Sequence, residues 1–246
     1  LVDMLLKDAC DLNPNLTHLL IWVQVSCLFA GVWGIGGALN TASKELFDTF
    51  YKDIWRGNNP DHPIPETIDP IDIPIPSEGL IHDYYYNYSG KGTWKYWPDV
   101  LRGMKIEETI NLQQTLVPTV DTAKYFHVLE MHIRHKIPIL LVGPSGTGKS
   151  FYVQKMLMHE LDLNKFSPAF LTFTTSISAN LTQELIISKL VKRRRGVYGP
   201  EKGKLSVIFI DDMNMPAKEV YGAQPPIELL RQYFDHGHWY DLKDTS

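Results

Sequence analysis

Apolar positions in the opening stretch "LVDMLLKDACDL" recur at helical spacing and predict an amphipathic helix. The next stretch, "LTHLLIWVQVSCLFAGVWGIGGALN" over residues 16–40, carries no acidic or basic residue except His18. It is long enough to cross a bilayer, but a helix apolar all round can equally be the centre of a large soluble assembly. Thr17, Gln24, Ser26 and Asn40 punctuate it, and its flanks lack a positive-inside asymmetry, so no membrane is expected. "TASKELFDTFYKDIW" then predicts a third helix, with Thr41 or Ser43 as its N-cap and Leu46, Phe47, Phe50 and Ile54 on one side. Residues 1–56 thus read as a small all-helical unit.

The pattern changes at residues 57–76, where six prolines forbid a helix and predict an extended linker. Residues 77–104 hold two aromatic runs, "DYYYNY" and "TWKYW", around Ser89-Gly90-Lys91-Gly92, which is a hairpin signature. Such aromatics could stack bases, but a packed hairpin face is the simpler expectation. From residue 105 to 246 helices and strands alternate. A helix capped by Thr119 or Asp121 leads to the strand "ILLV", a glycine-rich loop and the helix "SFYVQKMLMHEL". The strand "AFLTFTT", the helix "SANLTQELIISKLV", the basic loop "KRRRGVYGPEKGK", the strand "LSVIFIDD" and the helix "PPIELLRQYFDH" follow. Alternation of this kind predicts an α/β fold with a parallel sheet flanked by helices. No internal repeat is present.

The glycine loop carries the first chemistry. Gly143 to Ser150, "GPSGTGKS", fits G-x-x-x-x-G-K-[ST] between an apolar strand and an amphipathic helix. Gly143, Gly146 and Gly148 let backbone N–H groups turn inward around phosphate oxygens, with Pro144, Ser145 and Thr147 completing the loop. Lys149 can reach the outer phosphates as a point charge, and the Ser150 hydroxyl is a magnesium ligand by type. The following helix offers its free N–H groups and positive dipole end to the same anion. Further on, an apolar strand ends in Asp211-Asp212. The first acid can hold Mg²⁺, and the second can act as general base on an attacking water.

Charge and cysteine content narrow the alternatives. Twenty-four basic and 28 acidic residues leave a net charge of −4, which speaks against broad nucleic-acid binding. Cys10 and Cys27, both in apolar helical sequence, make neither a disulfide framework nor a zinc site and are expected to be reduced. There is no basic leader ahead of the first helix, and both ends are expected to be cuts through a longer polypeptide.

"LVPTVDT", "LLVGPSGTGKS", "FIDDMNMP" and "YGAQPPIELLRQ" together resemble the AAA+ modules of the dynein heavy chain, in its axonemal branch. The N-terminal "VWGIGGALN…FDTFYKDIW" is similar to the helical lid that closes the second of six ring modules, and "DYYYNYSGKGTWKYWPD" to the hairpin ahead of the third. The resemblance covers essentially the whole chain. It implies an ATP- or ADP-binding module with Mg²⁺, in a microtubule minus-end-directed motor of the ciliary and flagellar axoneme that is assembled in the cytoplasm. Its partners would be the neighbouring modules of the same heavy chain, with intermediate and light chains and microtubules reached through other parts. It also implies adenine contacts at Leu116, Val117 and Pro118. AAA+ rings usually carry Asp-Glu where this chain has Asp211-Asp212, so Asp212 is an uncertain base. AAA+ rings also insert loops at the place of Lys192 to Arg195, which reads either as an inter-module contact or as solvated charge at a helix C-terminus. The alternative to a regulatory module is a structural ring segment with permanently bound nucleotide. A stand-alone kinase or small NTPase does not account for the lid-like N-terminus.

Overall fold

The computed structural model describes residues 1–68, 74–102 and 117–242, which fall into two compact units, Leu1–Ile139 and Leu140–Ser246. In the first unit α1 (Val2–Leu12), α2 (Leu19–Gly34) and α3 (Thr41–Arg56) precede a hairpin of β1 (Tyr84–Asn87) and β2 (Thr93–Tyr96). Short α4 (Trp97–Leu101) and α5 (Val120–Arg134) complete it.

The apolar helix α2 is the centre of this unit. Segment Leu16–Ala38 has the length and hydropathy of a membrane span, yet α2 is buried on two sides. Trp22, Val25 and Phe29 pack with Met4, Leu5 and Ala9 of α1, with Tyr86 and Tyr88, and with Met131 of α5. Leu28 and Val32 pack with Ile75 and Ile81. Burying these side chains contributes about 1.5–3 kcal/mol each, which accounts for the two apolar faces of α2, while Leu20 and Ile35 at its ends stay exposed. Where α2 meets the hairpin, Ser26 Oγ lies 2.9 Å from the Tyr88 hydroxyl. Asn13 donates to Tyr88 O at 2.6 Å and accepts from Gly90 N at 3.0 Å, which ties the end of α1 to the hairpin turn.

Helix α3 departs from its expected face. Leu46 and Phe50 are 76% and 50% exposed, whereas Asp48 and Lys52 are buried. Asp48 accepts from Ile81 N at 2.6 Å, Lys52 donates to Gly79 O at 2.7 Å, and the two side chains pair at 2.7 Å. The helix thus buries a polar pair that satisfies the backbone of residues 79–81, and a distant backbone need outweighs apolar periodicity. Its cap is Asn40, whose side chain accepts from Ser43 N at 2.9 Å, rather than Thr41 or Ser43. For α5 the Thr119 hydroxyl accepts from Thr122 N at 3.2 Å. This helix, expected with the α/β unit, groups with the helical unit through Lys124–Asp83 (2.8 Å) and through Arg134 and His135 on Asp8 (3.0 and 2.8 Å).

In the second unit β3 (Phe166–Thr172) and β6 (Leu205–Asp211) form a parallel pair in register from Phe166 opposite Leu205 to Thr172 opposite Asp211. Pro168 is tolerated because β3 is an edge strand among the described residues. Between them run α7 (Ala179–Ser188), capped by Ser178, and an antiparallel hairpin of β4 (Val191–Arg194) and β5 (Val197–Gly199). The basic segment expected to be a loop is therefore a hairpin, turning at Arg195-Gly196. Leu171, Phe173, Ile177 and Ile186 pack with Leu230 of α8 (Pro225–His236) as the core of this unit. The helix after the glycine loop, α6 (Lys149–Lys155), passes into a π-helical turn over Met156–Glu160. Residues 139–142, expected to be a strand, pair with no described strand and are exposed, Val142 to 84%. Apolar content makes a strand only where a neighbouring edge supplies the ladder.

Two outcomes follow from the packing of the first unit. A Cβ on Gly36 would lie 2.8 Å from His82 Nε2 and 2.9 Å from Phe47 Cε1. Gly36→Val is expected to destabilise the unit by about 1–3 kcal/mol through overpacking, read as a lower urea midpoint at unchanged slope. His127 sits among the rings of Phe29, Tyr85 and Trp97. Burial, helped by nearby Arg134, holds its pKa down at about 4, against 6.5 when free, and burial also lowers that of His82. Between these values the unfolded chain binds the extra proton and the folded one does not. Stability is therefore complete above pH 6.5 and falls as pH drops towards 4, by about 3 kcal/mol from His127 alone. Unfolding midpoints measured across this range should lose most of that slope in His127→Phe.

Candidate nucleotide site

The loop after residues 139–142 is shaped by backbone dihedrals. Gly146 and Gly148 have φ of 80° and 79°, in the left-handed region that costs glycine nothing. Gly148 is also the N-cap of α6, and Tyr152 N donates to its carbonyl at 2.9 Å. Within the loop the Lys149 ammonium donates to Gly143 O at 2.8 Å, to Pro144 O at 2.5 Å and to Thr147 Oγ1 at 3.2 Å. Thr147 in turn donates to Pro144 O at 3.0 Å. A single cation thus gathers the loop around itself, and the residue that tightens it, Thr147, has no assigned role in the motif pattern.

One contact joins this loop to the acidic strand end. Ser150, in the first turn of α6, donates its hydroxyl to Asp211 Oδ1 at 2.7 Å, across 61 residues of sequence. Asp211 is the last residue of β6 and is itself partly buried. Its backbone carbonyl accepts from Phe173 N at 3.0 Å, and its Oδ1 also accepts from Asp212 N at 3.0 Å. A hydroxyl and a carboxylate held side by side are a hard-oxygen pair of the kind Mg²⁺ takes. Gly143 to Ser150 and Asp211 therefore come together as one site, and the donor set fits a nucleotide phosphate group with magnesium.

Asp212 stands apart from that pair. Its φ is 52°, a left-handed conformation in which aspartate is enriched among non-glycine residues. It is exposed, and its side chain accepts no hydrogen bond among the described residues. Its carbonyl accepts from Met215 N at 2.9 Å, which opens the turn that follows. Gln224 fixes that turn by donating to Asn214 O at 3.2 Å and Pro216 O at 2.6 Å. Sequence reasoning gave Gln224 no role, although it lies in the quoted "YGAQPP". Val117 and Pro118 belong to the first unit, immediately ahead of the Thr119 cap, and Leu116 lies outside the described residues.

Comparison with known proteins decides the lineage. A family described as "P-loop containing dynein motor region" matches residues 104–246, more than half of the chain, and "Dynein heavy chain AAA lid domain" matches residues 1–99. The chain belongs to the dynein heavy-chain family. It is 45% identical over 243 residues to dynein axonemal heavy chain 12 of Homo sapiens, which covers 98% of this chain and 8% of that protein. It is 44% identical to dynein axonemal heavy chain 3 of Mus musculus (93% and 6%) and 36% identical to dynein axonemal heavy chain 1 of Homo sapiens (94% and 6%). The chain thus spans less than a tenth of the length of these dyneins, within their AAA+ motor region. The family described as a P-loop containing motor region spans residues 143–150 and Asp211.

Because Lys149 is the only cationic side chain in the loop, Lys149→Ala should weaken Mg-ATP binding by about 2–5 kcal/mol, roughly 30-fold or more. Titration calorimetry on the chain measures this directly, and an unchanged affinity would remove the phosphate-loop assignment.

Proposed function

We propose that this chain is a nucleotide-binding regulatory module of an axonemal dynein heavy chain. In this reading residues 1–56 are the lid of the second ring module, 57–76 a linker, 77–104 a hairpin region, and 105–246 the large subdomain of the third module. The observation that carries it is the Ser150–Asp211 hydrogen bond of 2.7 Å at the mouth of the glycine loop. It brings two oxygen donors together from the first turn of α6 and the C-terminal end of β6.

The loop N–H groups and Lys149 would hold the phosphates of ATP or ADP, and Ser150 and Asp211 would hold Mg²⁺. The ion would supply neutralisation of phosphate charge. Leu116, Val117 and Pro118 would face the adenine. In the intact heavy chain the nucleotide state of this module would be passed through its neighbouring modules to the main ATPase module. The whole protein would be a minus-end-directed microtubule motor of cilia and flagella, assembled in the cytoplasm, with intermediate and light chains bound elsewhere on it.

Turnover is a separate matter from binding. A general base must come within about 2.6–3.2 Å of the water it deprotonates. Asp212 is one methylene shorter than the glutamate usual at this place in AAA+ rings, and it sits on a turn rather than on the strand. We infer that the chain binds nucleotide and hydrolyses it negligibly. In the complete motor with its other sites disabled, Asp212→Glu should raise single-turnover hydrolysis at this site. The left-handed backbone makes the longer residue cost about 1–2 kcal/mol at most, which a thermal melt will register separately. Fast hydrolysis by the unmodified site, or a large loss in the variant, would show that Asp212 already reaches the water.

A further inference from the structure

The β4–β5 hairpin is a feature of the second unit that the nucleotide site does not use. Between Lys189 and Lys204 the chain has seven basic residues and one acid, Glu201, although the protein as a whole is acidic. Glu201 is already paired, with Lys204 at 3.0 Å. Every residue of β4 is exposed, and so are Val197 and Tyr198 of β5. The hairpin forms its own two-stranded sheet, with Lys192 opposite Tyr198 and Arg194 opposite Val197, and a bulge between Lys192 and Arg194.

A two-stranded hairpin without a third strand or a covering helix is marginal in water by itself. This one also displays apolar Val191, Val197 and Tyr198 among its charges, which a purely solvating surface does not need. Arg193 is fixed by donating to Pro200 O. The side chains of Lys192 and Arg194 make no hydrogen bond or ion pair among the described residues. A basic edge with interleaved apolar side chains is built to be covered by a partner of opposite charge.

We propose that the β4–β5 hairpin is a docking arm for a carboxylate-rich protein segment. Arginine supplies three of its four consecutive basic residues, and its planar fork matches carboxylate in two parallel hydrogen bonds. The tyrosine and valines would cover the aliphatic stems of the partner's acids. Nucleic acid fits less well, since the rest of the chain is strongly acidic and the arm offers one aromatic ring for stacking. This surface is independent of the nucleotide site and stands whether or not that site turns over.

The test uses the full chain and three labelled probes: a deca-glutamate peptide, a (dT)20 oligonucleotide and vesicles containing phosphatidylserine. The peptide is expected to bind, with an affinity that falls steeply as salt rises from about 50 to 200 mM. Lys192→Ser together with Arg194→Ser should weaken it by roughly tenfold, a loss equivalent to about 1.4 kcal/mol. Mg-ATP affinity should be the same in the variant, which shows that the unit is still folded. The proposal is overturned if the peptide fails to bind, if the double variant binds it equally well, or if (dT)20 or the vesicles bind as tightly as the peptide through the same residues.

Discussion

One hydrogen bond, from the Ser150 hydroxyl to Asp211, sets the arrangement of the α/β unit. Its two ends are 61 residues apart, so it forms only if the intervening chain folds back to bring the end of β6 to the start of α6. That return is what β3 and β6 supply, with α7 and the basic hairpin on the crossover between them. The same constraint fixes where α6 begins. Gly148 must take a left-handed turn so that Ser150 falls in the first helical turn and not before it. Moving Asp211 by one residue along β6 would turn its carboxylate to the other face of the strand, and moving Ser150 by one along α6 would rotate its hydroxyl about 100° around the helix.

The helical unit rests on a different balance. Its central helix is packed from two sides, and the aromatic hairpin is one of the packing surfaces. Several polar groups enter this core with partners, as with Ser26 and Tyr88 or Asp48 and Lys52, while the buried indole N–H groups of Trp33, Trp94 and Trp97 find none among the described residues. The Asp48–Lys52 pair also serves the backbone of the segment from Gly79 to Ile81, where the chain enters a single 3-10 turn. A buried ion pair adds little net stability by itself, but removing one partner leaves an uncompensated charge.

Much of this was legible in the sequence because the signals were local. The phosphate loop is a contiguous pattern, the β1–β2 hairpin is written in glycines between aromatic runs, and α2 is marked by the absence of charge. What was not legible depended on partners far along the chain. The face of α3 was half legible: Phe47 and Ile54 are half-buried, but Leu46 and Phe50 are exposed because the fully buried side chains serve the backbone of residues 79–81, which periodicity cannot register. The β4–β5 hairpin was read as a loop because arginines and glycines disguise a ladder made of backbone atoms alone. Asn40 displaced Thr41 as the cap by a single position, a choice settled by the dihedrals of the chain entering the helix. In the site, Gly143 to Ser150 and Asp211 were named from the pattern, while the roles of Thr147 and Gln224 lie in hydrogen bonds to main-chain carbonyls that no pattern encodes.

The exposed run Ile139–Val142 has a consequence beyond its own geometry. Its amide and carbonyl groups are unladdered among the described residues, and its side chains are aliphatic. Such a segment is a template for any strand that can lie beside it, whether from the same polypeptide or from another copy. Concentrated solutions of this chain will tend to self-associate through that edge. A charged residue introduced there would curb the association, at the expense of the surface against which a native neighbouring strand would pack.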